Sequence, residues 1–222
     1  MRIIFILSLI VTLISNLFIV EKIVKRPGNV FNQVFTPPGG GKTTLASDLV
    51  RNIMHNGEKN NKKIYSNVPI IGAYRFGIDD LGKYEMRDCI LIIDEAGAKL
   101  SNRNWQHNLN LNQITTLKLH RHLNIDIWLF SQSYGDVDNK FRELTTGLYM
   151  LQQSRIPFRI NAKAIEKKVD LINGQIVDFY EWDKSNFFHF WSVPNWAYFN
   201  TEQVDEVLPK KFFTRYRKSD TI

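Results

Sequence analysis

The polarity of the chain changes character twice. Ile3 to Val20, IIFILSLIVTLISNLFIV, is apolar throughout except at Ser8, Thr12, Ser15 and Asn16. It lacks the polar stripe of a buried helix, and its length is close to that of a bilayer-spanning helix, in which hydroxyl side chains are tolerated. The flank that follows, FIVEKIVKRPG, carries no small-residue cleavage site of the kind a signal peptide needs. The pattern therefore predicts a membrane anchor, with residues 1–26 comprising the span and a basic flank. Lys22, Lys25 and Arg26 follow the span and only Arg2 precedes it, which directs the long C-terminal part to the cytoplasm.

Pro27-Gly28 then punctuates the chain, and short apolar runs begin to alternate with amphipathic ones. Val30–Phe35, Lys63–Val68, Ile90–Ile93, Ile125–Phe130 and Gly147–Gln152 read as strands. Thr43–Met54 reads as a helix: Leu45, Leu49 and Ile53 recur every four residues, with Ala46, Val50 and Met54 beside them. Gly57 is placed to close it. Leu109–His122 and Asp136–Leu144 read as further helices. Strands alternating with helices imply an α/β fold, a parallel sheet flanked by helices, over residues 27–153.

Past residue 153 the alternation stops. Val169–Phe179 centres on Asn173-Gly174, a two-residue hairpin signal. The aromatic run FFHFWSVPNWAYF, Phe187 to Phe199, reads as core and edge strand of a small β appendage rather than as a docking surface. A basic tail with Lys210, Lys211, Arg215, Arg217 and Lys218 completes this C-terminal part, residues 154–222.

Composition adds two constraints. Among the 222 residues, Lys and Arg outnumber Asp and Glu by 29 to 22, a formal charge of +7 that favours nucleic acid or an acidic membrane face as partner. Cys89 is the lone cysteine, which excludes an internal disulfide framework and a cysteine-based zinc site.

The chemistry concentrates in FTPPGGGKTT, residues 35–44, between the first strand and the first helix. Backbone N–H groups that converge at a helix start bind phosphate, and glycine tolerates the backbone angles this requires. The expected nucleotide-binding residues are Pro38, Gly39, Gly40, Gly41, Lys42, Thr43 and Thr44. Lys42 is suited to the β- and γ-phosphates of ATP, and the Thr43 hydroxyl to Mg²⁺. One position departs from the usual pattern, which has glycine five positions before Gly41, where this chain has Thr36. CILIIDE, Cys89–Glu95, then sets two carboxylates at a strand's C-terminal end, the ligand-facing end of an open parallel sheet. Asp94 joins Thr43 as the metal-site candidate, and Glu95 suits the deprotonation of an attacking water, which favours hydrolysis over transfer to a small molecule. Gln132, just after the strand IDIWLF, is placed to meet the γ-phosphate or that water.

Together these residues resemble the zonula occludens toxin (Zot) family, whose core members are the assembly ATPases of filamentous phages, within the FtsK–HerA group of P-loop motors. The likeness spans roughly residues 30–205 and rests on PGGGKTT, LIIDEA, HRHLNIDIWLFSQ, DVDNKFREL and YFNTEQV. Besides Thr36, the chain departs by placing its membrane span before the ATPase domain. It also lacks room for a long extracytoplasmic tail, so a toxin reading finds no support. The resemblance implies a RecA/FtsK-like P-loop ATPase that assembles as a homo-oligomeric ring, a hexamer among the options. In such rings an arginine of one subunit reaches the next subunit's γ-phosphate. Arg142 and Arg121 are the catalytic candidates for that role, with Arg103 and Arg155 left open. The implied setting is the bacterial inner membrane, crossed once through residues 3–20, with the ATPase domain cytoplasmic. Implied partners are phage DNA or nucleoprotein and other phage membrane or coat proteins. Three functions stay open: assembly and extrusion of a filamentous-type phage, viral DNA packaging, or a membrane adaptor that binds ATP without hydrolysing it.

Overall fold

The computed structural model describes residues 29–55, 62–96, 111–172 and 175–199, with Ile6 and Ile10 alone before them. The strands are β1 (Phe31–Phe35), β2 (Lys63–Ser66), β3 (Tyr74–Arg75), β4 (Cys89–Ile93), β5 (Ile125–Ser131), β6 (Gly147–Gln153), β7 (Arg159–Ile172) and β8 (Gln175–Trp191). The helices are α1 (Lys42–His55), α2 (Leu111–Lys118) and a single turn, α3 (Asn139–Arg142). The strands form one sheet in the order β3-β2-β4-β5-β1-β6-β7-β8. From β3 to β6 every pairing is parallel, whereas β7 and β8 join antiparallel.

Burial explains this order. Every residue of β4 and β5 is buried, so these near-continuous apolar runs sit centrally with both faces covered. On one face α1 lays Leu45, Leu49, Val50 and Ile53 against Val34, Ile92, Trp128 and Phe130. On the other, Leu117 of α2 and Phe141 of α3 pack with Phe31, Leu91, Ile93 and Leu129. Met54, which the helical repeat places on the apolar side, is 51% exposed.

The C-terminal part differs from the small β appendage expected. The hairpin is far longer than Val169–Phe179, because β7 pairs with β8 from Arg159↔Trp191 to Ile172↔Gln175 and with β6 along its other edge. It is thus an extension of the main sheet. Ile160, Ala162, Ala164, Phe188 and Phe190 alternate inward and belong to the α1 core. The aromatic run supplies core through Phe188 and Phe190, leaves Phe187 exposed, and ends in a 3₁₀ helix, Val193–Tyr198.

Two predicted helices are shorter in the structure. Instead of a helix over 136–144, a 3₁₀ turn at Tyr134–Asp136 precedes α3. The Asp136 carboxylate accepts the Ser133 N–H at 2.7 Å and closes that turn, so it is not available to start a helix. The helix expected over 109–122 is described from Leu111 and stops at Lys118, because the chain must turn into β5. Asn124 takes a left-handed φ of 55°, and the Ile125 N–H reaches the His120 carbonyl at 2.8 Å. β2 likewise ends at Ser66, short of Val68.

Among the described residues no helix is long and apolar enough to cross a membrane. The anchor expected at 3–20, apart from Ile6 and Ile10, lies outside the described residues, as do Lys22 to Gly28, Arg103, Asn173-Gly174 and the tail from Lys210.

Candidate functional site

The loop between β1 and α1 is shaped by three glycines with different duties. Gly39 and Gly41 have φ of 75° and 95°, the left-handed region where a side chain is strained. Gly40 is required for space: a Cβ there would fall 1.9 Å from the Thr36 hydroxyl oxygen. Thr36 itself is 1% exposed, its N–H donating to the Ser131 carbonyl at 3.3 Å. Threonine at the leading position is therefore folded in beneath Gly40. The Gly40 N–H donates to the Pro37 carbonyl at 3.0 Å, and the Leu45 N–H to Gly41 at 3.0 Å, which closes the first turn of α1. That first turn carries no acidic residue of its own, and its unpaired N–H groups and the positive end of the helix dipole face the loop. The Lys42 ammonium reaches back toward the Thr36 carbonyl at 3.5 Å.

The acidic strand meets the loop from the side. Since β5 lies between β4 and β1, Asp94 at the end of β4 stands two strands from the loop strand. The Thr43 hydroxyl donates to the Asp94 carboxylate across 3.3 Å. Asn67, at the end of β2, fixes the Asp94 backbone twice. It accepts the Asp94 N–H at 2.7 Å and donates to the Asp94 carbonyl at 2.8 Å. The second carboxylate oxygen accepts the Glu95 N–H at 2.8 Å. Burial raises the Asp94 pKa, against the lowering effects of the Glu95 N–H bond and of the Lys42 charge. A buried carboxylate held beside a hydroxyl fits an oxygen-seeking divalent cation such as Mg²⁺. Among the described residues no group of three or more His, Cys, Asp or Glu is arranged to hold a metal ion. Thr43 and Asp94 would hold the ion with phosphate and water completing its shell, as is usual for Mg²⁺.

The other expected site residues lie at graded distances. Glu95 follows Asp94 with a left-handed φ of 54° and an exposed side chain, at the crest of the sheet. Gln132 is exposed just after Ser131, which pairs with Phe35 at the entrance to the loop. Pro38 is exposed and Thr44 buried. Arg142 is half-buried, with its guanidinium 4.7 Å from the centre of the Tyr134 ring, beside a 650 Å³ cavity between Tyr134, Tyr180 and β6–β7. Arg121 precedes β5, and its carbonyl accepts from Asn29 just ahead of β1. It is thus at the opposite end of the strands from the loop, roughly 20 Å away along β5. Arg155 is exposed in the β6–β7 connection, on the loop's own end of the sheet.

Three neighbours of the loop escape sequence reasoning. Asn67 arrives only through the β2–β4 pairing. Ile160 of β7 abuts Gly41, where a Cβ would fall 2.4 Å from its Cδ1. Gln153 donates to the Gly39 carbonyl at 3.3 Å. The placement of Ile160 depends on a hairpin whose first strand reads as polar.

The family model described as Zonular occludens toxin (Zot) matches residues 73–190. The match begins after the glycine loop and includes Asp94, Glu95, Gln132 and Arg142. Among solved structures, the chain is similar to the N-terminal domain of zonular occludens toxin from Neisseria meningitidis. That likeness has 19% identity, 62% of this chain and 83% of that one covered, and a TM-score of 0.48. It is also similar to the genome packaging NTPase B204 from Sulfolobus turreted icosahedral virus 2 in complex with ATP-gammaS. Here the identity is 12%, the coverage 72% and 98%, and the TM-score 0.45. No curated protein matches the chain.

Proposed function

This chain belongs to the zonular occludens toxin family, and from that premise we propose that it is a membrane-anchored ATPase that drives assembly and extrusion of a filamentous-type phage. The observation that carries the ATPase reading is the Thr43–Asp94 contact beside a glycine loop whose helix start and Lys42 face the same space. The loop N–H groups and Lys42 bind and orient the β- and γ-phosphates of ATP. Mg²⁺, when bound, supplies Lewis-acid neutralisation of charge on the phosphate oxygens. Thr43 and Asp94 would hold the ion: burial, together with the neighbouring Glu95 charge, raises the Asp94 pKa, and a bound cation would favour its carboxylate form. Glu95, exposed at the crest, accepts the proton of the attacking water, and Gln132 orients that water. An arginine of a neighbouring subunit completes the site in a homo-oligomeric ring.

In this reading residues 3–20 hold the enzyme in the bacterial inner membrane with its ATPase part in the cytoplasm. The substrate is a phage DNA–protein complex, and the charge of +7 suits a polyanion. The test is ATP turnover by the full chain in a bilayer, with and without bare double-stranded DNA. Lys42→Ala is expected to abolish turnover. Extrusion predicts turnover that bare DNA leaves unchanged, while strong, salt-sensitive stimulation by DNA replaces it with packaging.

A further inference from the structure

We propose that the exposed face of Trp196 seats the nucleobase, so that the 3₁₀ helix after β8 distinguishes a nucleotide from a bare polyphosphate. The inference rests on the reading of the glycine loop as a nucleotide site, and it concerns a part of the molecule which that reading does not use.

The order of strands supplies the first argument. The loop stands over β1; Asp94 and Glu95 lie toward β4 on one side, and β6, β7 and the end of β8 lie on the other. With the γ-phosphate drawn toward the acidic side, the rest of the nucleotide extends toward β7. On that side a cleft of about 590 Å³ opens between Gly39, Gly41 and the first residues of α1 on one wall and Trp196 with Phe199 on the other. A base attached to phosphates bound at the loop has this cleft beside it.

The second argument is that Trp196 is exposed yet held. It is 54% exposed, and its ring meets Phe158 edge-on, with centroids 5.6 Å apart and planes 82° apart. Its neighbour Asn195 is fully buried and donates to Asp48 of α1 at 3.0 Å and to the Trp191 carbonyl at 2.8 Å. At the far end of the 3₁₀ helix, the Tyr198 carbonyl accepts the Ile71 N–H at 2.9 Å. The segment is thereby pinned to the helix whose first turn faces the phosphates, and the ring loses little freedom when a base stacks on it. Among the described residues that line this cleft, none carries a side-chain amide or carboxylate. Stacking uses the π-face that every base has, so the platform senses that a base is present more than which base it is.

The experiment compares the full chain with Trp196→Ala and Trp196→Phe, using Mg²⁺ with a non-hydrolysable ATP analogue, the GTP analogue, and inorganic tripolyphosphate, by calorimetry. Trp196→Ala is expected to weaken both nucleotides by roughly 5- to 150-fold, the range of aromatic stacking on a base. Tripolyphosphate affinity stays unchanged, and Trp196→Phe retains most of the nucleotide affinity. If the wild type binds all three ligands and Trp196→Ala matches it, the inference fails alone. It also fails if tripolyphosphate weakens by the same factor, since Trp196 then only shapes the loop. A wild type that binds none of them overturns the inference together with the nucleotide site.

Discussion

Thr36 occupies the space that a side chain on Gly40 would need, its hydroxyl oxygen lying 1.9 Å from where that Cβ would be. The two residues are therefore coupled, and the threonine that departs from the usual loop pattern is compensated four positions on. Gly40→Ala should distort the loop, with an overpacking cost of about 1–3 kcal/mol and at least a tenfold loss of ATP affinity. Thr36→Gly removes the clash, so the double variant should recover most of that loss. Calorimetric ATP binding in the four-member cycle checks this, and additive effects would break the coupling.

Asp94 makes the stability of the metal-free protein depend on pH. Its pKa is raised in the folded state from an ordinary value of 3.8, so above that value the folded chain binds more protons than the unfolded one. The stability it contributes is full below pH 3.8 and is lost as pH rises through the folded pKa. Asp94→Asn should flatten this decline and leave the metal-free protein no less stable at neutral pH, while abolishing Mg²⁺-dependent turnover. Melting curves against pH, with and without Mg²⁺, check the sign. Asp48 is raised by burial too and contributes in the same direction, so the variant removes only part of the slope.

How much of this is legible in the sequence follows from where the chemistry sits. The glycine loop and the acidic strand are each contiguous, GGGKTT and LIIDE, and both follow apolar runs that the sheet requires to be central. The contact between Thr43 and Asp94 follows from setting those strands two apart. Asn67 is not legible: its side chain has a role only because β2 pairs with β4, and nothing in SNVP marks it. The start of β7 is hidden for another reason. RINAKAIEKK reads as polar because one face of the strand is covered by α1 and the other bears lysines, while Ala162 and Ala164 are too small to signal a core. Asp136 misleads because it closes a tight turn with the side chain that a helix start would have used.

Arg121 lies at the opposite end of the strands from its own loop, so a catalytic role for it requires a neighbouring subunit's site. Arg121→Ala chains are expected to bind ATP normally but turn it over poorly. Mixing them with Lys42→Ala chains should restore turnover that neither has alone. No recovery in a mixture shown to form rings removes Arg121 and leaves Arg142, with Arg103 and Arg155 still open.

The anchor has a simple signature. The full chain should remain in the bilayer fraction through an alkaline carbonate wash, and a variant lacking residues 1–26 should not. Release of the full chain by that wash contradicts the anchored reading.

The central claim is that the site hydrolyses ATP through Glu95. The most direct measurement is phosphate release by the full chain under saturating Mg²⁺-ATP, alongside ATP affinity, for wild type and Glu95→Gln. Wild type is predicted to turn over ATP, and the variant to bind it with similar affinity while losing roughly 10²–10⁴-fold in rate. Equal, negligible rates in two proteins that both bind ATP would contradict the account and make the chain a nucleotide-binding membrane adaptor.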